Sequence, residues 1–473
     1  MKFEDVTKPI LHFMTVGLTL CPFLLNGCAD SVSKLFSSDI EAKVPLENFA
    51  SRDGHYFPNF VLKFFPNAKL FCEARRKIDA AREGMQLIEV RSLSSEMLSY
   101  NEANLSWSAD GVFLGFEVVT ESHRKILVKD LVGNYSKELL MLPKGRNDFL
   151  EGMVSRSIIS YNAGLRWSRD STRFAFMSNG GVGIYNIYVG AVGVKEEKVT
   201  QSSSKDGYAN WSPVSSEIAF VSGRSGSGDI YLVNLSSRET TRLSSSPDID
   251  IFPEWFPNAQ KIVYSSGDAL NHDLFVVERD QLESNKWDAP RALTSWPCDD
   301  LRPVVSPDGK NIAFYADDCL TQQMSDQVSD QIIKDDFSQA QERIWNLHVV
   351  PYIKGKTYKA EELKKTIIAR DVVIDLNTGP AWTPDGRGIF YVKRDPKNFN
   401  PIYGYDLFAG QRYFFKTSTK MNRDILMSKL GVLSFRAQVG VWDRVFLALT
   451  NQGLQLQKMD LVKNRKIIYE RSH

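Results

Sequence analysis

Apolar and polar residues alternate along most of this chain with a period of two, and the alternating runs come in pairs joined by short turns. The clearest pair is LRPVVSPDGKNIAFY, Leu301–Tyr315. An extended run enters a Ser-Pro-Asp-Gly turn and a second apolar run leaves it. Pro307 sets φ for the turn, and Gly309 accepts the positive φ that hairpin turns need. The spacing predicts antiparallel partners over Arg302–Val305 and Asn311–Tyr315, a β-hairpin.

The same unit recurs. AWTPDGRGIFY stands at Ala381–Tyr391, EWFPNAQKIVY at Glu254–Tyr264, NWSPVSSEIAF at Asn210–Phe220, RWSRDSTRFAF at Arg166–Phe176 and SWSADGVFLGF at Ser106–Phe116. Two degenerate copies, KFFPNAKLFC at Lys63–Cys72 and LMSKLGVLSF at Leu426–Phe435, have one residue fewer between turn and second run. With the tryptophan position as anchor, the eight anchors are Phe64, Trp107, Trp167, Trp211, Trp255, Val305, Trp382 and Met427. Their successive spacings are 43, 60, 44, 44, 50, 77 and 45 residues. A period near 44 is the length of one four-stranded propeller blade. A solenoid of helical hairpins would need helical periodicity, which these segments lack.

Third strands follow the hairpins, as in DIYLVNL (Asp229–Leu235), DLFVV (Asp273–Val277), IWNLHVV (Ile344–Val350) and IYGYDL (Ile402–Leu407), with MQLIEV (Met85–Val90) and NIYV (Asn186–Val189) earlier. Short fourth strands are expected at Thr240–Ser244 and Arg291–Thr294. The expected fold is therefore all-β: a β-propeller of four-stranded antiparallel blades, eight by the anchors. Six or seven remain alternatives if a terminal degenerate unit is not a complete sheet. The aromatic anchors read as inter-blade core. Two polar insertions, Leu320–Arg343 and Lys354–Ile368, explain the 77-residue spacing. The second holds AEELKKTI, expected as a short helix, and both read as surface loops.

Composition narrows the class. The 473 residues are 43% hydrophobic and 24% charged with formal net charge +1. That is a globular balance, with no basic face or stripe to suggest nucleic acid. Ile10–Leu25 is apolar, preceded by Lys2 and Lys8 and too short to span a bilayer comfortably, which suits a signal-peptide core. Its ending, Leu25-Asn26-Gly27-Cys28, resembles a bacterial lipobox, which implies cleavage before Cys28 and lipidation of its thiol. The expected domains are a signal peptide over residues 1–27, a tether over 28–55 and the propeller over 56–473. The expected location is the cell envelope, as a periplasmic or surface-exposed lipoprotein. Cys298 and Cys319 lie symmetrically about the Asp308-Gly309 turn, so they are expected to face each other across one hairpin as a disulfide.

The W-[ST]-P-D-G-x-x-I-[AF]-[FY] hairpin followed by D-I-Y-x-x-x-L resembles the TolB-like propeller repeat of exported bacterial proteins. The resemblance covers about residues 56–473 and implies the fold far more closely than the function. The roughly thirty residues between Cys28 and the first unit leave no room for the N-terminal α/β domain of TolB proper.

Similar repeats precede the hydrolase domain of prolyl-oligopeptidase-type peptidases, but no G-x-S-x-G elbow occurs here and only 46 residues follow Met427. Of His55, His123, His272, His348 and His473, His123 and His272 stand in equivalent loops of distant units, so no shared metal is expected. Neither a cofactor nor a catalytic set is expected. The turn aspartates Asp110, Asp170, Asp308 and Asp385 are accounted for by turn chemistry. Function is expected to be binding of a protein partner or assembly in the envelope, with membrane contact through the lipid. The alternative is a carbohydrate-active enzyme, a polysaccharide lyase or glycosidase.

One regularity points to a binding position. Five residues before every anchor stands an Asn, Asp or Glu: Asn59, Glu102, Asn162, Asp206, Asp250, Asp300, Asn377 and Asn422. Two before it the residue is always apolar: Leu62, Leu105, Leu165, Ala209, Pro253, Pro303, Pro380 and Ile425. The −5 positions are expected at one height, where each blade's first strand begins. There they could form a ring at a mouth of the central channel, drawing a basic segment of a partner. The alternative is that each side chain caps its own turn.

Overall fold

Each Ser/Thr-x-Asp turn is tied by its own side chains. Ser306 Oγ donates to Asp308 Oδ1 at 2.6 Å, and the backbone N–H groups of Lys310 and Asn311 donate to Asp308 Oδ1 and Ser306 Oγ. Ser108–Asp110, Ser168–Asp170 and Thr383–Asp385 repeat the arrangement. Gly309 sits at φ 72°, as the turn requires. The turn aspartates are thereby occupied as structural acceptors.

A computed structural model describes residues 87–450 apart from 94–99, 120–122, 131–159, 181–183, 192–193, 269–270, 281–285, 318–342, 398 and 416. The hairpins grow into seven antiparallel sheets arranged as the blades of a propeller. Their first strands are Asn101–Trp107, Ser160–Trp167, Asp206–Trp211, Ile249–Trp255, Asp300–Val305, Ala381–Trp382 and Lys420–Met427, which define blades 1 to 7. The third strand of blade 1, His123–Asp130, also pairs in parallel with the start of blade 2.

The seventh blade closes the ring. Leu87–Ser92 pairs antiparallel with Trp442–Thr450, the third strand of that blade. Leu87–Ser92, which takes in the LIEV of MQLIEV, is therefore the outer strand of blade 7, not the third strand of a unit begun at Phe64. Hydrophobic periodicity gives a strand's existence but not its partner, and this pairing joins segments more than 350 residues apart. The count is thus seven, one of the two alternatives to eight. Phe64, Asn59 and the Lys63–Cys72 unit lie outside the described residues. So do the signal segment, Cys28 and the tether.

Aromatic and aliphatic faces fill the gaps between blades. Trp107, Leu114 and Phe116 of blade 1 pack with Val432, Val445 and Leu447 of blade 7. Anchor tryptophans also donate across the gap: Trp167, Trp255 and Trp382 give their Nε1–H to the carbonyls of Ser106, Asn210 and Val304, each at 3.1 Å. Those carbonyls all belong to the residue before the preceding blade's anchor. The Lys354–Ile368 insertion is not loose decoration. Tyr358–Lys359 pairs in parallel with Thr294–Ser295 of blade 4, a one-turn helix spans Ala360–Leu363, and Tyr358 and Leu363 are buried beneath it.

Every first strand carries an irregularity three residues before its anchor. Asn104, Gly164, Tyr208, Phe252, Arg302, Gly379 and Asp424 all have positive φ, between 50° and 73°. In blades 1 to 5 and 7 the register slips beside this residue, so two residues oppose one, a β-bulge. The extra residue reverses the alternation upstream. Asp250 pairs with Ser266 and Trp255 with Ile262. These partners are four residues apart, so Asp250 faces the same side of the sheet as its anchor. Blades 1, 2, 3 and 5 repeat the relation.

Candidate functional site

The bulges decide where the −5 residues go. Glu102, Asp206, Asp250 and Asp300 lie at or next to the start of their strands and turn toward the blade interfaces. Glu102, Asp206, Asp250, Asp300 and Asn422 are all 0% exposed. Glu102 Oε2 accepts from the Val445 N–H of blade 7 at 2.6 Å. Asp206 pairs with Arg224 at 3.1 Å, and Asp300 Oδ1 accepts from Trp296 Nε1 at 2.8 Å. Asn422 donates to the Asn400 carbonyl and accepts from the Thr419 hydroxyl. Burial pushes the Asp250 carboxyl up to about 6 and holds that of Asp300 well above the carboxylate range. Only Asn377 is exposed, and the Asn162 side chain lies outside the described residues. Glu102, Asp206, Asp300 and Asn422 bond within and between blades, and both Asp250 carboxylate oxygens are buried with no hydrogen-bond partner.

A different set of residues meets on the axis. Arg166 of blade 2 and Arg302 of blade 5 both donate to the backbone carbonyl of Asn377, in the segment entering blade 6. Blades 2 and 6 are not neighbours, so this contact crosses the channel. Asn377 is held by a turn in which its N–H and that of Thr378 donate to Asp375 Oδ1 at 2.9 and 3.2 Å. Glu254 of blade 4 lies 3.6 Å from Arg302 Nη1 and accepts from Asn210 Nδ2 of blade 3 at 2.7 Å. In blade 7, Arg436 Nε lies 2.5 Å from Asp424 Oδ2, and Asp443 bonds Arg423 at 2.6 and 2.7 Å.

A second cluster flanks this one. Glu117 of blade 1 is fully buried. It accepts from Asn104 Nδ2 at 2.8 Å and from the Gly164 N–H of blade 2 at 2.7 Å, with Arg124 at 3.3 Å. Burial outweighs these donors and lifts its carboxyl from 4.5 to about 7. Burial, then the neighbouring Asp424, raises Asp375 to about 6. Burial, then the adjacent Arg302 cation, lowers Arg166 to about 10.

Neither His272 nor His348 joins the axis. His348 is buried against Phe314 and Trp296, bonds Thr366 Oγ1 at 3.0 Å, and is held down to about 3 by burial, so its ring is neutral and structural. His272 Nδ1 lies 2.9 Å from Asp299 Oδ1, an orienter–base geometry. Among the described residues no hydroxyl or thiol hydrogen-bonds that ring. No group of three His, Cys, Asp or Glu able to hold a metal occurs among the described residues. Cys298 is buried and disulfide-bonded; Cys319 lies outside the described residues.

No sequence pattern marks the axial arginines. Arg166 and Arg302 stand at different offsets from their anchors, −1 and −3, and 136 residues apart. The available signal was the fivefold spacing between anchor and −5 residue. An odd spacing with two inward-facing ends requires a bulge, and a bulge re-aims whatever side chain it carries.

Comparison with known proteins rests on these repeats. Residues 152–343 match the TolB beta propeller domain. No curated protein sequence matches the chain. TolB from Acinetobacter baumannii aligns at 15% identity and TM-score 0.40 over 68% of this chain, which spans 65% of that TolB's length. An oligogalacturonate lyase from Vibrio parahaemolyticus aligns at 12% identity and TM-score 0.48, covering 77% of this chain and 96% of the lyase. A puromycin-hydrolyzing peptidase from Mycobacterium tuberculosis gives 11% identity and TM-score 0.50, covering 74% and 52%. At these identities the likeness is one of fold alone. Residues 152–343 are thus similar to the TolB beta propeller domain, and the described residues form a β-propeller of antiparallel blades.

Proposed function

We propose that this propeller is an exported, lipid-anchored binding module that engages a protein partner of the cell envelope along its central axis. The observation that carries the reading is the axial contact. Side chains from blades 2 and 5 converge on one carbonyl across the ring, flanked by buried ion pairs from blade 7. Such a set is pre-organised for recognition, because its members are already held by one another. The one orienter–base pair among the described residues lies off this axis with no described hydroxyl or thiol bonded to its ring, which favours binding over turnover. Export and anchoring are supported by the Leu25-Asn26-Gly27-Cys28 ending after an apolar segment.

The test uses the full-length chain in its native envelope. In-membrane crosslinking and capture from solubilised envelope should recover a specific protein, and Cys28→Ser should shift the propeller from the membrane to the soluble fraction. Turnover of a polysaccharide by the purified protein, with no protein captured, would replace the module reading by the carbohydrate-active one.

A further inference from the structure

The axial arginines lean mostly on neutral acceptors. Two guanidinium groups share the Asn377 carbonyl, and Arg166 Nη1 also donates to the Leu165 carbonyl at 2.9 Å. The nearest carboxylate, Glu254, stands 3.6 Å from Arg302 and is divided between Arg302 and the Asn210 amide. Arg302 is 5% exposed, and its Nε has no hydrogen-bond partner. A buried donor without an acceptor is costly, so Arg302 holds an unmet donor beside the axis. Arginine forks suit a planar two-oxygen anion, which they bind bidentately.

Space exists beside Arg166. Gly164, two residues before it, has nothing within 4 Å of where a Cβ would stand, so the channel is open on the blade 2 side. On blade 3 the bulge residue Tyr208 is 41% exposed and meets Phe252 edge to face at 5.1 Å. Phe252 in turn lies beneath the Arg302 guanidinium at 5.9 Å. The open wall therefore offers cation, aromatic surface and aromatic edge in one continuous run. That run matches a carboxylate carried on a chain with apolar side chains at its flanks.

We propose that the axis binds a carboxylate of an acidic peptide segment between Arg166 and Arg302, with Tyr208 against the neighbouring side chain. The inference rests on the protein-binding reading above and reverses the partner charge expected from the −5 residues. Those acids are inside the blades, and the groups left to meet a ligand are cationic.

Fluorescence anisotropy with fluorescein-tagged pentaglutamate at low salt tests it, with tagged pentaglutamine and an oligouronate as parallel probes. Wild-type protein should bind pentaglutamate and not pentaglutamine, and the affinity should fall as salt rises. Arg166→Gln, at a partly exposed position, should weaken binding at least tenfold with its melting temperature retained. Arg166→Lys should fall between, keeping the charge and losing the fork. Equal binding of pentaglutamine, unchanged affinity in Arg166→Gln, or binding of the oligouronate alone would each overturn the proposal. Envelope-protein capture that persists in Arg166→Gln would leave the module reading standing and remove only the carboxylate. Pentaglutamate binding with no protein captured would do the reverse.

Discussion

Glu117 should make the propeller less stable at alkaline pH, because its carboxyl is easier to protonate folded than unfolded. Burial raises it from 4.5 to about 7 against the opposing pull of Arg124, Asn104 and the Gly164 N–H. The folded state then binds the proton more tightly, so its contribution is fully present below about pH 4.5. It is lost as pH rises through about 7. At 1.36 kcal/mol per pK unit, the loss by pH 8 is about 3 kcal/mol. Glu117→Gln mimics the neutral acid at every pH. Urea midpoints measured from pH 5 to pH 8.5 should therefore diverge: near-equal stability at pH 5, and the variant more stable at pH 8. Arg124, whose side chain is 24% exposed, can turn to water when its partner is neutral. Asp250, Asp273 and Asp375, each raised to about 6, slope the same way in both proteins and cancel in the difference. Parallel curves, with the variant weaker throughout, would show that the three donors overcome desolvation and that Glu117 is an ordinary buried carboxylate.

Trp382→Phe removes the Nε1–H donated to the Val304 carbonyl at 3.1 Å between blades 6 and 5, and should cost about 2 kcal/mol in chemical denaturation. A change below about 0.5 kcal/mol would show that the cross-blade bond adds nothing beyond packing. Cys298 and Cys319 should appear as one linked peptide pair in a non-reducing digest of the purified protein. Cys298 recovered with a different partner would refute the pairing. Deleting Leu87–Ser92 leaves Trp442–Thr450 as the unpaired edge of blade 7 and should open the ring, read as faster amide exchange in the blade 7 strands than in blade 4. Uniform exchange across both blades would mean the ring holds by face packing alone.

The hairpins were legible because Ser-Pro-Asp-Gly and its variants state their own geometry locally, and seven of the eight anchors fall in observed blades. Blade number was less legible, since nothing within MQLIEV says that its partner is Trp442–Thr450 rather than its sequence neighbours. The bulges were invisible residue by residue. The left-handed position is filled by Asn, Gly, Tyr, Phe, Arg, Gly and Asp, with no common side chain. Tertiary packing imposes that conformation, and the five non-glycine cases pay about 1 kcal/mol or more each in backbone strain. The −5 residues were expected at a mouth of the channel from their regular offset alone, which carries no sign of the bulge. One inserted residue per strand sends them to the blade interfaces.

The two glycines among the bulge positions connect that strain to the axis. Both have φ near 70°, so Gly164→Ala and Gly379→Ala should each cost about 1 kcal/mol from backbone strain alone. Their surroundings differ. A Cβ on Gly164 meets nothing within 4 Å, whereas one on Gly379 would stand 2.5 Å from Val304 Cγ2 and 3.3 Å from Arg302 Cγ. Gly379 is thus the seat of the Arg302 side chain, and Gly164 keeps open the space beside Arg166. The alanine at 379 should be the more destabilising, because backbone strain is joined by a clash with neighbours fixed in the blade 5–6 interface. It should also weaken pentaglutamate binding by moving Arg302, while Gly164→Ala leaves both arginines in place and narrows only their approach. Melting temperatures and anisotropy on the two variants separate these effects. Equal stability losses and equal affinities would mean that both glycines serve the backbone only, and that the arginine pair is positioned without them.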